Sequence, residues 1–508
     1  MWTSKERFGL VVLISTLLLI PCFWLPIVST ADLQSHLYNA WLAQLVEAGR
    51  TPGLRIVHQS TNVAVDLVLA GLVARWGAST AERALTAGVV LVFFWGAFRF
   101  IRAAHRYPPY CLAPWLAVLS YGYVFQLGLL NFYLSAGVVL WALALSWDAD
   151  RRHLAIACAL GLLAATAHPI PPLWLLAMVT YRELAGRSSA RTQGLLFFGG
   201  VVALYGVRRY VLATAHEHGW SLFQLVSTTG ADQALLFGWR YAPPAVAIVA
   251  LLVTLALTDR RPDRFCQWRS VLAQLYGLTS VAIALVPSSF RMAPKSAWVG
   301  FLSQRLSLFS FVLLLAVLGA RRRRATILLA GFATAGCFFG VLHGDVAKAA
   351  RIESKMESLV STLPFGQRLV ACVPDLGVEE HPFLTERVAQ RIEVWARRIP
   401  ALVGWHERNL ARISPTHLIS RACVGRCFDF MNYEPASQQF RIRASAENSF
   451  VASRITDVYA MESGFHPHQE GDGVLHAVYR CGSGTSDLCM RALAPGVSCR
   501  DLVSGFAR

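Results

Sequence analysis

The sequence predicts a polytopic α-helical membrane domain of about eleven transmembrane helices followed by a soluble α+β domain, and three observations predict it. Of the 508 residues, 55% are hydrophobic and 15% charged, whereas a soluble domain carries roughly 25% charged residues. The chain is therefore short of the polar surface needed to face water on all sides. Mean hydropathy is +0.45, and the apolar excess falls in blocks of the length a bilayer requires, roughly 17–25 residues. The formal charge of +17 is unevenly placed: residues 1–344 hold 28 Lys or Arg against 12 Asp or Glu, and residues 345–508 hold 19 against 18. A basic, apolar membrane part thus precedes a near-neutral, charge-rich part. This pattern excludes a nucleic-acid binder, a disordered chain and a single compact soluble enzyme.

The first element is the uncharged run Phe8 to Val28, preceded by Lys5 and Arg7. Those two cations read as cytoplasmic under the positive-inside rule, and the run exceeds the usual signal-peptide core, so it is taken as a retained first span. Residues 29–79 follow as a long outer loop with two helical patterns. Leu33, Leu37, Tyr38, Trp41, Leu45 and Val46 recur at helical spacing up to Ala48-Gly49, and Val63, Leu67, Leu69 and Leu72 run on to Gly77. Both patterns predict amphipathic helices at the outer membrane surface with polar faces toward a shared cavity.

Ten further apolar segments follow, among them 110–127, 130–147, 242–258, 298–320 and 325–343. The clusters Arg99/Arg102/Arg106, Arg151/Arg152, Arg182/Arg187/Arg191, Arg260/Arg261/Arg264/Arg269 and Arg321 to Arg324 then all fall on the side of Lys5 and Arg7, which takes 18 of the 28 cations. An odd number of spans places the C-terminal part outside the cytoplasm. Six cysteines belong to that part: Cys372, Cys423, Cys427, Cys481, Cys489 and Cys499. An even number in an oxidising compartment points to up to three disulfides among 15 pairings. Two readings compete: zinc, because Cys423 and Cys427 have a ligand spacing with His417 nearby, and unpaired core thiols. In the same part, Leu363 to Leu376, Gln438 to Ser453 and Val474 to Tyr479 read as strands. Asp345 to Ser361 and Phe383 to Ile399 read as helices.

Several polar groups point to chemistry. Asp32 follows the first span and His36 lies four residues on, so both project from one helix face. Such a pair accepts a proton or holds a divalent cation; the bland alternative makes Asp32 an N-cap and His36 a surface side chain. Arg305 lies seven residues after Trp298 in an apolar span, which places it in the outer third of the bilayer. Arg291 and Lys295 occupy the preceding loop, SSFRMAPKSAW. His216, Glu217, His218 and Asp232 read as a solvated loop, His168 in HPIPP as a turn residue, and Asn131 as a cap.

The stretches ADLQSHLYNAWLAQLVEAG (31–49), HQSTNVAVDLVLAGLVARWG (58–77) with AERALTAGVVL after it, and GLLNFYLSAGVVLWALAL (128–145) resemble segments of the GT-C superfamily of integral-membrane glycosyltransferases and bacterial proteins related to it. GT-C enzymes often present two acids near the first loop; here Asp32 has no adjacent acid, and a second carboxylate would be Asp66 or come from another loop. The resemblance implies transfer of a sugar from a polyprenyl-phosphate donor to a glycan, lipid or protein acceptor on the outer face of a bacterial inner membrane, with inversion. It implies Asp32 as general base with His36 beside it, and Arg291, Lys295 and Arg305 as a clamp on the donor phosphate. The bland alternative for Arg291 and Lys295 is contact with headgroups of membrane lipids. A divalent metal ion is the candidate cofactor, and no nucleic-acid partner is expected. The runner-up function is a non-enzymatic lipid or glycan transporter or envelope assembly factor.

Overall fold

The computed structural model describes residues 4–26, 28, 30, 33, 36, 37, 40, 44, 47, 48, 60–147, 151–236, 239–258, 270–292, 299–318, 324–360 and seven strands beyond 367. The chain is mostly helical. Its longer helices are α1 (Ser4–Phe23), α2 (Ala64–Trp76), α3 (Ala78–His105), α4 (Ala113–Ser120), α5 (Leu130–Trp147), α6 (Arg151–Ala167), α7 (Ile170–Gly186), α8 (Ala190–Thr214), α9 (Ala242–Thr258), α10 (Val271–Leu285), α11 (Leu302–Leu318) and α12 (Arg324–Val360). Among the described residues four stretches are long and apolar enough to cross a membrane: α3, α5, α8 and residues 325–347 of α12. Two compact units divide the chain: Met1–Pro21, Ala87–Phe125 and Leu130–Leu342 in the first, Cys22–Thr86, Gln126–Leu129 and His343–Arg508 in the second.

In the first unit α5 to α8 alternate in direction, and side chains mark both ends. Arg182, near the end of α7, donates to the carbonyls of Ser146 and Trp147 that close α5, and its guanidinium lies 5.3 Å from the Trp147 ring. Carbonyls at a helix C-terminus lack intrahelical donors and carry the negative end of the dipole, so a guanidinium there is favourable. At the other end, Arg305 opens α11 beside His168, which precedes α7, and Phe132, which opens α5. The N-termini of α5, α7 and α11 therefore gather at the end of the unit away from Arg182. α10 runs the opposite way. Near its start, Gln274 Oε1 accepts from the Tyr181 hydroxyl at 2.6 Å; at its close, the Leu285 carbonyl accepts from Arg208.

Close approach of backbones fixes α3 against α5. A Cβ added at Gly96 would lie 2.6 Å from the Gly137 carbonyl oxygen, and one added at Gly137 would lie 2.8 Å from the Phe93 nitrogen. Small residues let apolar helices pack at this range, where dispersion rather than water release is the main attraction. Trp141 Nε1 then donates across the contact to the Val92 carbonyl at 3.1 Å. Outward, the helices carry apolar side chains. Leu195, Phe198, Val202, Tyr205 and Tyr210 are exposed along α8, and Val246, Val253 and Leu257 along α9. Apolar surface of that extent is what lipid covers and what water does not tolerate.

The expected span 110–127 is instead α4 followed by a single turn, Tyr123–Gln126, because Gly122 packs against Gln233: a Cβ there would stand 3.0 Å from the Gln233 Cβ. The expected span 298–320 begins only at Leu302, since Phe290 and Val299 exchange backbone hydrogen bonds and Leu302 N–H donates to the Ser288 carbonyl. Arg305 thus sits in the first turn of α11.

In the second unit the described residues from Leu33 to Glu47 are helical, and Leu33, Leu37 and Ala40 are buried, as are Val65, Leu69 and Val73 on α2. The Gln44 amide donates to the Ala70 carbonyl at 3.3 Å. Leu67, Val68 and Trp76 are exposed on α2. Val28 N–H donates to Glu82 Oε1 at 3.0 Å and Arg83 donates to the Pro26 carbonyl, which ties the end of the first segment to the start of α3. Toward the C-terminus, β3 (Arg368–Cys372), β8 (Leu475–Arg480) and β9 (Leu488–Ala492) form one sheet, with β3 parallel and β9 antiparallel to β8. In another, β6 (Gln439–Ala444) pairs with β4 (Phe428–Asp429), β5 (Tyr433–Glu434) and β7 (Ser449–Ala452). The expected strand at Gln438 to Ser453 is thus two strands, β6 and β7. The helix expected over Phe383 to Ile399 lies outside the described residues.

Candidate functional sites

Two clusters stand out, one in each unit. In the second unit His36 Nδ1 and Asp66 Oδ1 lie 2.7 Å apart, with 2% and 0% of the two side chains exposed. The elements explain the meeting: His36 shares its helix with the buried Leu33, Leu37 and Ala40, and Asp66 lies in the first turn of α2 beside the buried Val65. A carboxylate there also complements the positive end of the helix. The two helices expected to turn polar faces toward a cavity instead turn these two groups toward each other. An ionised carboxylate only accepts, so the hydrogen of this contact is carried by His36 Nδ1. Asp32 lies outside the described residues.

In the first unit His168 occupies the turn between α6 and α7. Its N–H donates to the Ala164 carbonyl and its carbonyl accepts from Ser135 Oγ, so the turn is held from both sides. Pro169, Pro171 and Pro172 have no amide hydrogen, and the one donor among them, Ile170 N–H, is 3.2 Å from His168 Nδ1. Arg305 Nη1 stands 3.5 Å from the other ring nitrogen, Nε2. The Arg305 guanidinium carbon lies over the Phe132 ring at 5.5 Å, and the His168 and Phe132 rings meet edge to face with centroids 5.3 Å apart. Burial first, and the Arg305 charge second, push the His168 pKa down to about 3. The imidazole is therefore neutral.

Deeper along α11, Asp232 is buried, not solvated as its loop position suggests. Its Oδ2 accepts from Ser307 Oγ at 3.0 Å and from the Gln233 amide at 3.2 Å. Gln233 also reaches the Gln304 carbonyl at 2.9 Å. Sequence reasoning missed this network, although Ser303, Ser307 and Ser310 recur at helical spacing inside an apolar helix, a polar stripe that asks for a buried partner.

Of the other expected site residues, Arg291 lies on β2 (Ser289–Arg291), paired with β1 (Glu217–Gly219), and its Nη1 is 3.8 Å from Glu217 Oε2. His218 is on β1, and His216 Nδ1 lies 3.7 Å from Glu217 Oε1. Lys295, Cys423, Cys427, Cys481, Cys499 and His417 lie outside the described residues. Among the described residues no group of three His, Cys, Asp or Glu side chains has metal-site geometry. Cys372 and Cys489 are placed on β3 and β9, both opposite Tyr479 of β8. Two strand spacings, about 10 Å, separate them, beyond the reach of a disulfide. That register removes the pairing Cys372 with Cys489, and with it three of the 15 connectivities.

No protein-family model, no curated protein and no solved structure matches the chain.

Proposed function

We propose that the chain is an inner-membrane glycosyltransferase of GT-C type, which moves a sugar from a polyprenyl-phosphate carrier to an acceptor at the outer face with inversion. The observation that carries this reading is the buried His36–Asp66 pair in the segment after the first apolar helix. An imidazole whose Nδ1 is held by a carboxylate has a set orientation, which a group acting in proton transfer requires. Asp32, four residues earlier in sequence, is the general base that takes the proton of the acceptor hydroxyl, as the resemblance implies, and Asp66 orients His36. The departing lipid phosphate gains negative charge as the glycosidic bond breaks, and Arg291, Lys295 and Arg305 neutralise it. A divalent metal ion, if one takes part, would have Asp32 and Asp66 as its carboxylates.

The same reading takes the four long apolar helices with α1, α6, α7, α9, α10, α11 and the segment 110–127 as about eleven spans, the N-terminus as cytoplasmic and residues 345–508 as an extracytoplasmic α+β domain holding up to three disulfides. A periplasm-active reporter fused at Arg508 is expected to be active; activity from a cytoplasmic reporter alone would remove both the odd span count and the disulfides.

Asp32→Asn is expected to lower sugar transfer from a polyprenyl-phosphate donor by about 10²–10⁴-fold with membrane insertion unchanged. Full transfer by that variant removes Asp32 from the mechanism. The alternative, a lipid or glycan transporter or assembly factor, draws on the buried Asp232–Gln233–Ser307 network in a helical bundle, since ionisable groups at membrane depth are retained for function. It predicts that Asp232→Asn, and not Asp32→Asn, abolishes the cellular role.

A further inference from the structure

Helix α8 lies on the outside of the first unit. Of its apolar stretch 6% is buried, against 67% in α3 and 72% in α5, and Leu195, Phe198, Val202, Tyr205 and Tyr210 stand exposed along it. Two adjacent arginines interrupt that surface shortly before the helix ends at Thr214. Arg208 serves the bundle. Its Nη1 donates to the Leu285 carbonyl at the close of α10 at 3.1 Å, and its guanidinium lies 5.9 Å from the Trp220 ring, whose Nε1 donates to the Ala284 carbonyl at 2.8 Å. Successive residues lie about 100° apart around a helix, so the rotation that brings Arg208 to α10 leaves Arg209 on the exposed side. Among the described residues Arg209 has no hydrogen bond, ion pair or ring contact.

A guanidinium on a lipid-facing helix turns its head toward the interface and takes an anion there. Arg209 stands about 7.5 Å of helix rise from Thr214, within reach of the headgroup layer. Aromatic side chains mark the same depth: Tyr205, Tyr210 and Trp220 are exposed, as is usual where a span meets the membrane surface. No acid of this region matches the second cation, since Glu217, the next acid along the chain, stands between His216 at 3.7 Å and Arg291 at 3.8 Å. Val202, Tyr205, Gly206 and Arg209 share one helix face. A Cβ added at Gly206 would meet nothing within 4 Å, so the surface one turn before the guanidinium is open to an acyl chain. A zwitterionic headgroup brings its own cation to the same place, which favours a lipid of net negative charge. We propose that Arg209 binds the phosphate of an anionic phospholipid, whose chain lies along Gly206 and Val202.

This inference rests on α8 crossing a membrane and not on the reading of glycosyl transfer. The full chain, with Tyr205 replaced by the photoreactive residue p-benzoylphenylalanine, is placed in nanodiscs of equimolar phosphatidylglycerol and phosphatidylcholine with matched acyl chains. After illumination the adducts are identified by mass spectrometry. Phosphatidylglycerol is expected to exceed phosphatidylcholine among them by about fivefold. Arg209→Leu is expected to bring that ratio to about one, and Arg209→Lys, which keeps the charge, to retain about half of the excess. Arg209→Gln is the variant to read if Arg209→Leu does not insert. With the photoreactive residue at Leu195 instead, the ratio is expected to be the same with and without Arg209. A ratio at position 205 that Arg209→Leu leaves unchanged, a response of equal size at Leu195, or adducts that join two copies of the chain in place of lipid would overturn the site.

Discussion

Among the described residues two histidines, the buried His36 in one unit and the part-buried His168 in the other, are furnished in opposite ways. His36 faces a carboxylate at 2.7 Å; His168 faces a guanidinium at 3.5 Å. The first contact is complementary, with a donor on the ring and an acceptor on Asp66. The second sets a ring nitrogen beside a group that only donates. The difference between the two histidines lies in what each ring faces: a carboxylate in one unit, a guanidinium in the other.

The comparison breaks most sharply at the His36–Asp66 pair. His36→Ala is expected to lower transfer by about 10²–10⁴-fold, and Asp66→Asn by a smaller factor of about 10–100, as outer partners of functional imidazoles do. The carboxamide keeps the shape of the carboxylate but also presents N–H donors, so the ring loses its preferred tautomer. Stability provides a second measure. Each single substitution is expected to lower unfolding free energy by about 1–3 kcal/mol, and the double variant by less than the sum of the two. Additive losses in thermal unfolding would mean that the pair is a neighbourhood and not an interaction.

How much of this was legible in the sequence depends on the range of the interaction. The apolar segments 130–147 and 242–258 coincide with the helices α5 and α9, because uncharged apolar runs bounded by charges, glycine or proline satisfy their backbone most cheaply as helices. The polar helical pattern of Asp345 to Ser361 follows α12 as far as Val360, β3 lies inside the expected Leu363 to Leu376, and β8 overlaps the expected Val474 to Tyr479. What could not be read was set by distant partners. Asp232 looks solvated until Ser307, 75 residues on, is placed beside it. The break at Gly122 depends on Gln233, and the late start of α11 on the Phe290–Val299 bridge. For the candidate sites, Asp66 was visible as an acid and His36 as a catalytic type, but their meeting across 30 residues was not. His168 was correctly read as a turn residue; what its ring faces lies 137 residues away.

The smallest effect sharpens the other half of the comparison. With its pKa pushed down to about 3, His168 is expected to keep the 15N shifts of a neutral ring from pH 8 to pH 5, a range that spans the model imidazole value of about 6.5. The sign for stability follows from linkage. A histidine whose folded pKa is depressed is protonated first in the unfolded chain, so its contribution is full above about 6.5 and is lost as pH falls toward 3. Arg305→Gln removes the smaller of the two causes and leaves burial, the larger, in place. Its His168 is therefore expected to titrate at a pH above that of the parent chain and still below 6.5. If His168 in the parent chain titrates near 6.5, the ring is not held against the guanidinium, and the contrast between the two histidines disappears.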